Sequence, residues 1–91
     1  MPVDFVMRAT EEKIREILEI HDTIIPVDQD LFTYGLDSLK TVILVVELED
    51  AFDIMFEDKE LLFENFATIQ LVADLVKRKL VTKDDQSQRV D

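Results

Sequence analysis

The stretch of this sequence most suited to chemistry is Gly35-Leu36-Asp37-Ser38-Leu39, which contains the only glycine. Ser38 stands where a loop meets a helix. Asp and Ser both satisfy the free amides of a first helical turn, so an ordinary cap is the plain reading. The same place suits a phosphate, because open amides and the positive end of the helix dipole stabilise an anion. A phosphodiester on Ser38 would lie in that field. A hydrolase using Ser38 finds no support, since no base can be paired with it. His21 is the only histidine and there is no cysteine, so capping or half-burial is its expected role rather than catalysis. Asp28-Gln29-Asp30 opens like a calcium loop, but the required glycine and terminal glutamate are missing. Glu49-Asp50 and Glu57-Asp58 read as solvated neighbours, and the three methionines as core or terminus. No catalytic residue and no metal site are expected.

The elements that position Ser38 follow from the apolar spacing. A first helix is expected after Asp4, its cap, running to about Ile20, with Thr10 as a later possible start. Val6, Ala9, Ile14, Ile17, Leu18 and His21 share one face. Residues 22–36 have no helical period, and Ile25-Pro26 disfavours helix. This long first loop needs apolar anchors, for which Ile24, Ile25, Val27, Leu31, Phe32 and Tyr34 are the candidates. A second helix runs from Asp37-Ser38 to about Phe52. Residues 53–67 look irregular, with a short helical turn around Lys59–Phe63. A last helix starts at Thr68, a good cap, and carries Lys77, Arg78 and Lys79 in its final turn, where cations suit the dipole. The expected fold is all-α: a four-helix bundle of three longer helices and one short, with residues 1–81 as the domain and 82–91 as a polar, frayed tail.

The second helix has two apolar stripes. Thr41, Leu44, Val45, Leu48 and Phe52 suit a core face. Leu39, Val42, Ile43 and Val46 form another, although a surface helix needs only one. The second stripe is therefore a candidate docking surface, with Asp37, Lys40, Glu47, Glu49 and Asp50 as its charged rim. A wide core face or a homodimer contact are the plainer readings of the same pattern.

Composition bounds the rest. The 91 residues make one domain with a 47% hydrophobic content, too apolar for a disordered chain. Absence of cysteine excludes a disulfide framework and a thiol nucleophile. No signal peptide and no membrane-spanning run are seen, so a cytoplasmic location is expected. Net charge is −11, and residues 28–64 alone carry −9. Such a field repels nucleic acid and anionic membranes and steers basic partners.

Gly35-Leu36-Asp37-Ser38-Leu39 resembles the phosphopantetheine attachment signature of acyl, peptidyl and aryl carrier proteins. The similarity continues through Leu44-Val45, Leu48-Glu49 and Phe52-Asp53 of the second helix. Asp30-Leu31-Phe32 resembles the first loop upstream of the serine, and Asn65-Phe66-Ala67-Thr68-Ile69 the approach to the last helix. The resemblance covers about residues 5–80. It implies that a phosphopantetheinyl transferase moves 4'-phosphopantetheine from coenzyme A to Ser38. The arm's thiol would then hold cargo as a thioester, which accounts for a thiol carrier without cysteine. Asp37 would aid transferase recognition, while Leu39, Lys40, Val42, Ile43, Val46 and Glu47 would meet partner enzymes. Those partners are the transferase, an acyl- or aminoacyl-loading ligase and downstream biosynthetic enzymes, each met by a monomer that is not itself an enzyme.

Lys40 directly after the motif, Ile43 where an acid is frequent, and Phe56-Glu57 where Ile-Pro is usual depart from carriers of general fatty acid synthesis. A dedicated polyketide, peptide or aminoacyl pathway is therefore expected, with Lys40 and Ile43 tuning partner choice. The alternatives are housekeeping fatty acid synthesis and, in another class, an unmodified acidic helical interaction module.

Overall fold

The computed structural model describes residues 2–89, with side chains described over residues 5–82. Three α-helices build it: α1 (Pro2–Leu18), α2 (Ser38–Phe52) and α3 (Ile69–Arg89), with α1 packed against both others. No strand occurs among the described residues. Pro2 suits the first position of α1, where its missing N–H is no loss. Asp4, the expected cap, lies inside this first turn, and its side chain is outside the described residues. Val6, Thr10, Ile14 and Leu18, spaced by four, face the core. Ala9 and Ile17 are only half-buried, and His21 is exposed and off that face.

Thr10 is fully buried, and its hydroxyl has no hydrogen-bond partner. An unsatisfied buried hydroxyl costs about 1–3 kcal/mol. Thr10→Val keeps the shape and removes the orphaned oxygen. A urea melt should show the variant more stable by about 1 kcal/mol, with the slope unchanged.

Helix α1 stops at Glu19, whose φ of 59° is left-handed. The Ile20 amide reaches back to the Arg15 carbonyl at 3.0 Å, the bond of a Schellman closure. Arg15 also donates to the carbonyls of Thr23 (2.7 Å) and His21 (2.9 Å), strapping the first loop to the helix end. Farther on, the Gln70 amide donates to the Val27 carbonyl at 3.0 Å, and the Leu31 amide to the Ala67 carbonyl at 2.7 Å. Of the expected apolar anchors, Ile25 and Leu31 are buried, while Phe32 and Tyr34 pack partly against the core. Ile24 and Val27 are exposed, contrary to expectation. Neighbours in an extended segment point to opposite sides, so Ile25 inward places Ile24 outward. The turn closed by the Gln29 amide on the Pro26 carbonyl then breaks that alternation before Val27.

In place of one short helix around Lys59–Phe63 there are two 3-10 turns, Asp58–Glu60 and Phe63–Phe66. A third, Leu31–Tyr34, lies in the first loop. Leu61 and Leu62 take non-helical conformations between these two turns, and the Glu60 carbonyl accepts from the Asn65 side-chain amide at 2.9 Å. Helix α3 begins as expected, with Thr68 Oγ1 accepting from the Leu71 amide at 3.1 Å. Its helical geometry extends through Arg89, past Thr82 where the polar tail was expected to begin. Residues 69–91 contain neither Gly nor Pro, so polarity alone does not end the helix. Val90 and Asp91 of the expected tail lie outside the described residues.

Candidate functional site

Ser38 is held in place by the turn before it. The Asp30 carboxylate accepts from the Phe32 amide at 2.9 Å and starts the Leu31–Tyr34 turn. Gly35 ends that turn with a φ of 108°, a region that L side chains rarely adopt. Its geometry returns the Leu36 amide to the Leu31 carbonyl at 3.2 Å. Leu31 and Leu36 are both buried, so the chain is anchored on either side of the glycine.

Asp37, and not Ser38, is the cap of α2. Its Oδ1 accepts from the Lys40 amide at 2.8 Å, while its carbonyl accepts from the Thr41 amide (2.8 Å) and the Thr41 hydroxyl (2.7 Å). Ser38 is the first residue of the helix, exposed, and its hydroxyl has no hydrogen-bond partner among the described residues. The adjacent cap therefore leaves the Ser38 oxygen free to react. Only the first amides of the helix, those of Ser38 and Leu39, then remain for an anion beside that oxygen.

Behind Ser38 lies a cavity of about 240 Å³. Thr41, Val42, Val45 and Val46 of α2 form one wall, and Leu61, Phe63 and Phe66 the other. Apart from the Ser38 and Thr41 hydroxyls its lining is apolar, so it suits an uncharged, narrow group. The Phe63 ring stands edge-on to Phe32 at 5.6 Å, joining this wall to the first loop, and Phe66 is edge-on to Phe56 at 6.0 Å.

The two stripes of α2 separate as their spacing implies. Thr41, Leu44 and Leu48 are buried. Leu39, Val42, Ile43 and Val46 are 69%, 60%, 42% and 57% exposed. Val42 and Val46 line the cavity as well; Leu39 and Ile43 do not. The charged rim divides. Glu47 pairs with Lys13 of α1 at 3.3 Å, and Lys40 Nζ lies 3.9 Å from its own cap, Asp37. Glu49 leaves the rim altogether: its carboxylate accepts from the Phe56 amide at 2.9 Å and pins the chain leaving α2.

Glu60 was given no role by its sequence, yet it organises the outer wall. Its Oε1 accepts from the Glu57 amide at 2.7 Å and lies 3.0 Å from Lys79 Nζ. Partial burial pushes its carboxyl up, but the Glu57 amide and Lys79, with Lys59 adding to them, outweigh this and hold it below the ordinary 4.5. A lowered folded value means that the ionised carboxylate stabilises the fold above the unfolded value, and that this contribution is lost as pH falls through the folded one. Glu60→Gln should therefore cost about 1 kcal/mol at pH 7. In melts taken at decreasing pH, the gap to the wild-type protein should close below pH 4.5.

The chain is similar in sequence to known proteins. Residues 9–76 match the family described as "Phosphopantetheine attachment site". The aminoacyl carrier protein of Agrobacterium fabrum (strain C58 / ATCC 33970) is 40% identical over 77 residues, covering 78% of this chain and 93% of that protein. The D-alanyl carrier protein of Lactococcus lactis subsp. cremoris (strain MG1363) is 43% identical over 53 residues, 57% of this chain and 67% of that protein. Its counterpart in Lactococcus lactis subsp. lactis (strain IL1403) matches at the same identity and coverage.

Proposed function

The chain belongs to the phosphopantetheine-attachment family of carrier proteins, and from that premise we propose that Ser38 holds the arm and that the cargo is an aminoacyl group of a dedicated pathway. The observation that carries the attachment reading is the Ser38 hydroxyl, exposed and unbonded at the start of α2 because Asp37 fills the cap. The group itself supplies a thiol on which cargo is held as a thioester. The residues around it bind and orient. The Ser38 and Leu39 amides would hold the phosphate, and the apolar cavity beside Ser38 would take the least polar part of the arm. Asp37 keeps the helix start rigid beneath the attachment oxygen. The chain itself makes and breaks no bond in this reading; its partners do.

Those partners are a phosphopantetheinyl transferase, a loading ligase and the enzyme that takes the cargo onward. Leu39, Val42, Ile43 and Val46 would provide a small apolar centre for each in turn, with Lys40 and Glu47 at its edge. Acids concentrated in residues 28–64, net −9, would steer basic surfaces to this face and keep the encounters fast and weak.

The names of the relatives favour an aminoacyl cargo over that of general fatty acid synthesis. An aminoacyl thioester bears an ammonium group, which would stay outside the apolar cavity, on the acidic surface. Incubating the arm-bearing protein with ATP, amino acids and adenylating ligases, and reading intact mass, tests this. An amino-acid adduct removed by hydroxylamine is expected. Loading by fatty acids alone would refute it.

A further inference from the structure

The cavity beside Ser38 has unequal walls. One is α2, a continuous helix. The other comes from the Asp58–Glu60 and Phe63–Phe66 turns, joined by Leu61 and Leu62 in non-helical conformations. Leu61, Leu62 and Phe63 are all exposed, so burial does little to hold that stretch. Local backbone bonds join the Leu61 amide to the Asp58 carbonyl and the Asn65 amide to the Leu62 carbonyl, and Phe63 meets Phe32 edge-on. The side-chain hydrogen bonds of the stretch, however, converge on one residue. Glu60 takes the Glu57 amide and Lys79 Nζ on its carboxylate, and the Asn65 side chain on its carbonyl. Lys79 alone among these groups belongs to α3. The Lys79–Glu60 pair is also the most sheltered ion pair among the described residues, with side chains 12% and 21% exposed. Such a pair is screened far less than the surface pairs.

We propose that Lys79 is a latch: by gripping Glu60 it clamps residues 57–63 onto α3, and so positions the Leu61–Phe63 wall of the cavity beside Ser38. Lys79 touches neither Ser38 nor the cavity and acts only through Glu60. When the pair breaks, the Glu57–Glu60 turn loses its tie to the helix, the wall swings outward, and a group on Ser38 loses its apolar seat. That last consequence rests on the attachment proposed above. The latch itself does not.

Hydrogen exchange on the unloaded protein tests the latch directly. In Lys79→Met, which keeps the stem and removes the charge, the amides of Glu57, Glu60, Leu61 and Asn65 should exchange about tenfold faster. Amides within α2, such as Leu44 and Leu48, should be unchanged. Lys79→Arg should restore protection, and Glu60→Gln should reproduce the loss. Unaltered protection in Lys79→Met, or a uniform loss across α2 as well, would overturn the latch.

A second readout uses a coenzyme A analogue with a solvatochromic dye on its thiol, transferred to the protein by a phosphopantetheinyl transferase. Emission should be blue-shifted in the wild type and Lys79→Arg, and shifted toward the value in water in Lys79→Met. Identical emission in fully labelled wild type and Lys79→Met would contradict the wall's role. Failure to label any of them would count against Ser38 as the attachment site, while hydrogen exchange still decides the latch.

Discussion

On the attachment proposed above, Ser38→Ala should abolish phosphopantetheinylation while leaving the fold as stable as the wild type. Both halves of this result come from one arrangement. The cap of α2 is Asp37, whose carboxylate holds the Lys40 amide at 2.8 Å, so the serine hydroxyl contributes nothing to the helix start. It is exposed and makes no hydrogen bond among the described residues. Alanine is a better helix former, so stability should change by no more than about 0.5 kcal/mol. Loss of the arm should be complete, because the bond to phosphorus needs the oxygen that alanine lacks. Asp37→Ala provides the contrast. It should retain the attachment oxygen and lose about 1 kcal/mol of stability with the cap. Intact mass after transfer and a thermal melt of each variant separate the two roles.

The largest effect on stability is expected from Phe66→Ala. Phe66 is fully buried, meets Phe56 edge-on at 6.0 Å and forms part of the cavity lining beside Ser38. Truncating a buried Phe to Ala costs about 3–5 kcal/mol, from lost transfer energy and the void left behind. A domain of this size has a total of about 5–14 kcal/mol. The variant should therefore be largely unfolded at modest urea concentrations, and the surviving folded fraction should have an enlarged cavity. Phe66→Leu should recover more than half of the loss. If a urea titration showed Phe66→Ala within 1 kcal/mol of the wild type, the core described here would be wrong.

Much of the site was legible in the sequence because it is local. The cap, the glycine turn and the helix that follows occupy consecutive residues, and the two stripes of α2 repeat at helical spacing. Gly35 with its φ of 108° and Thr68 with its bond to the Leu71 amide are of the same kind. Which of Asp37 and Ser38 caps the helix was not legible, since both residue types do so and only geometry decides. Other misses involve partners outside the three- and four-residue spacing of a helix. The Arg15 strap, the Glu49 hold on Phe56 and the Glu60–Lys79 pair join a side chain to a group that no periodic pattern marks. Lys79, with Lys77 and Arg78, was expected in the last turn of the helix, but α3 continues to Arg89, ten residues past it, and places all three in its interior. Polarity after Thr82 suggested fraying, but a polar run without Gly or Pro continues a helix as readily as it ends one.

Ser38 and Ser87 are the only serines, which makes one measurement decisive. The protein is incubated with coenzyme A and a broad-specificity phosphopantetheinyl transferase, and the added mass is located by fragmentation. A single addition on the peptide bearing Ser38, with none on Ser87, is the predicted result. No addition under conditions that load a control carrier, or an addition elsewhere in the chain, would contradict it.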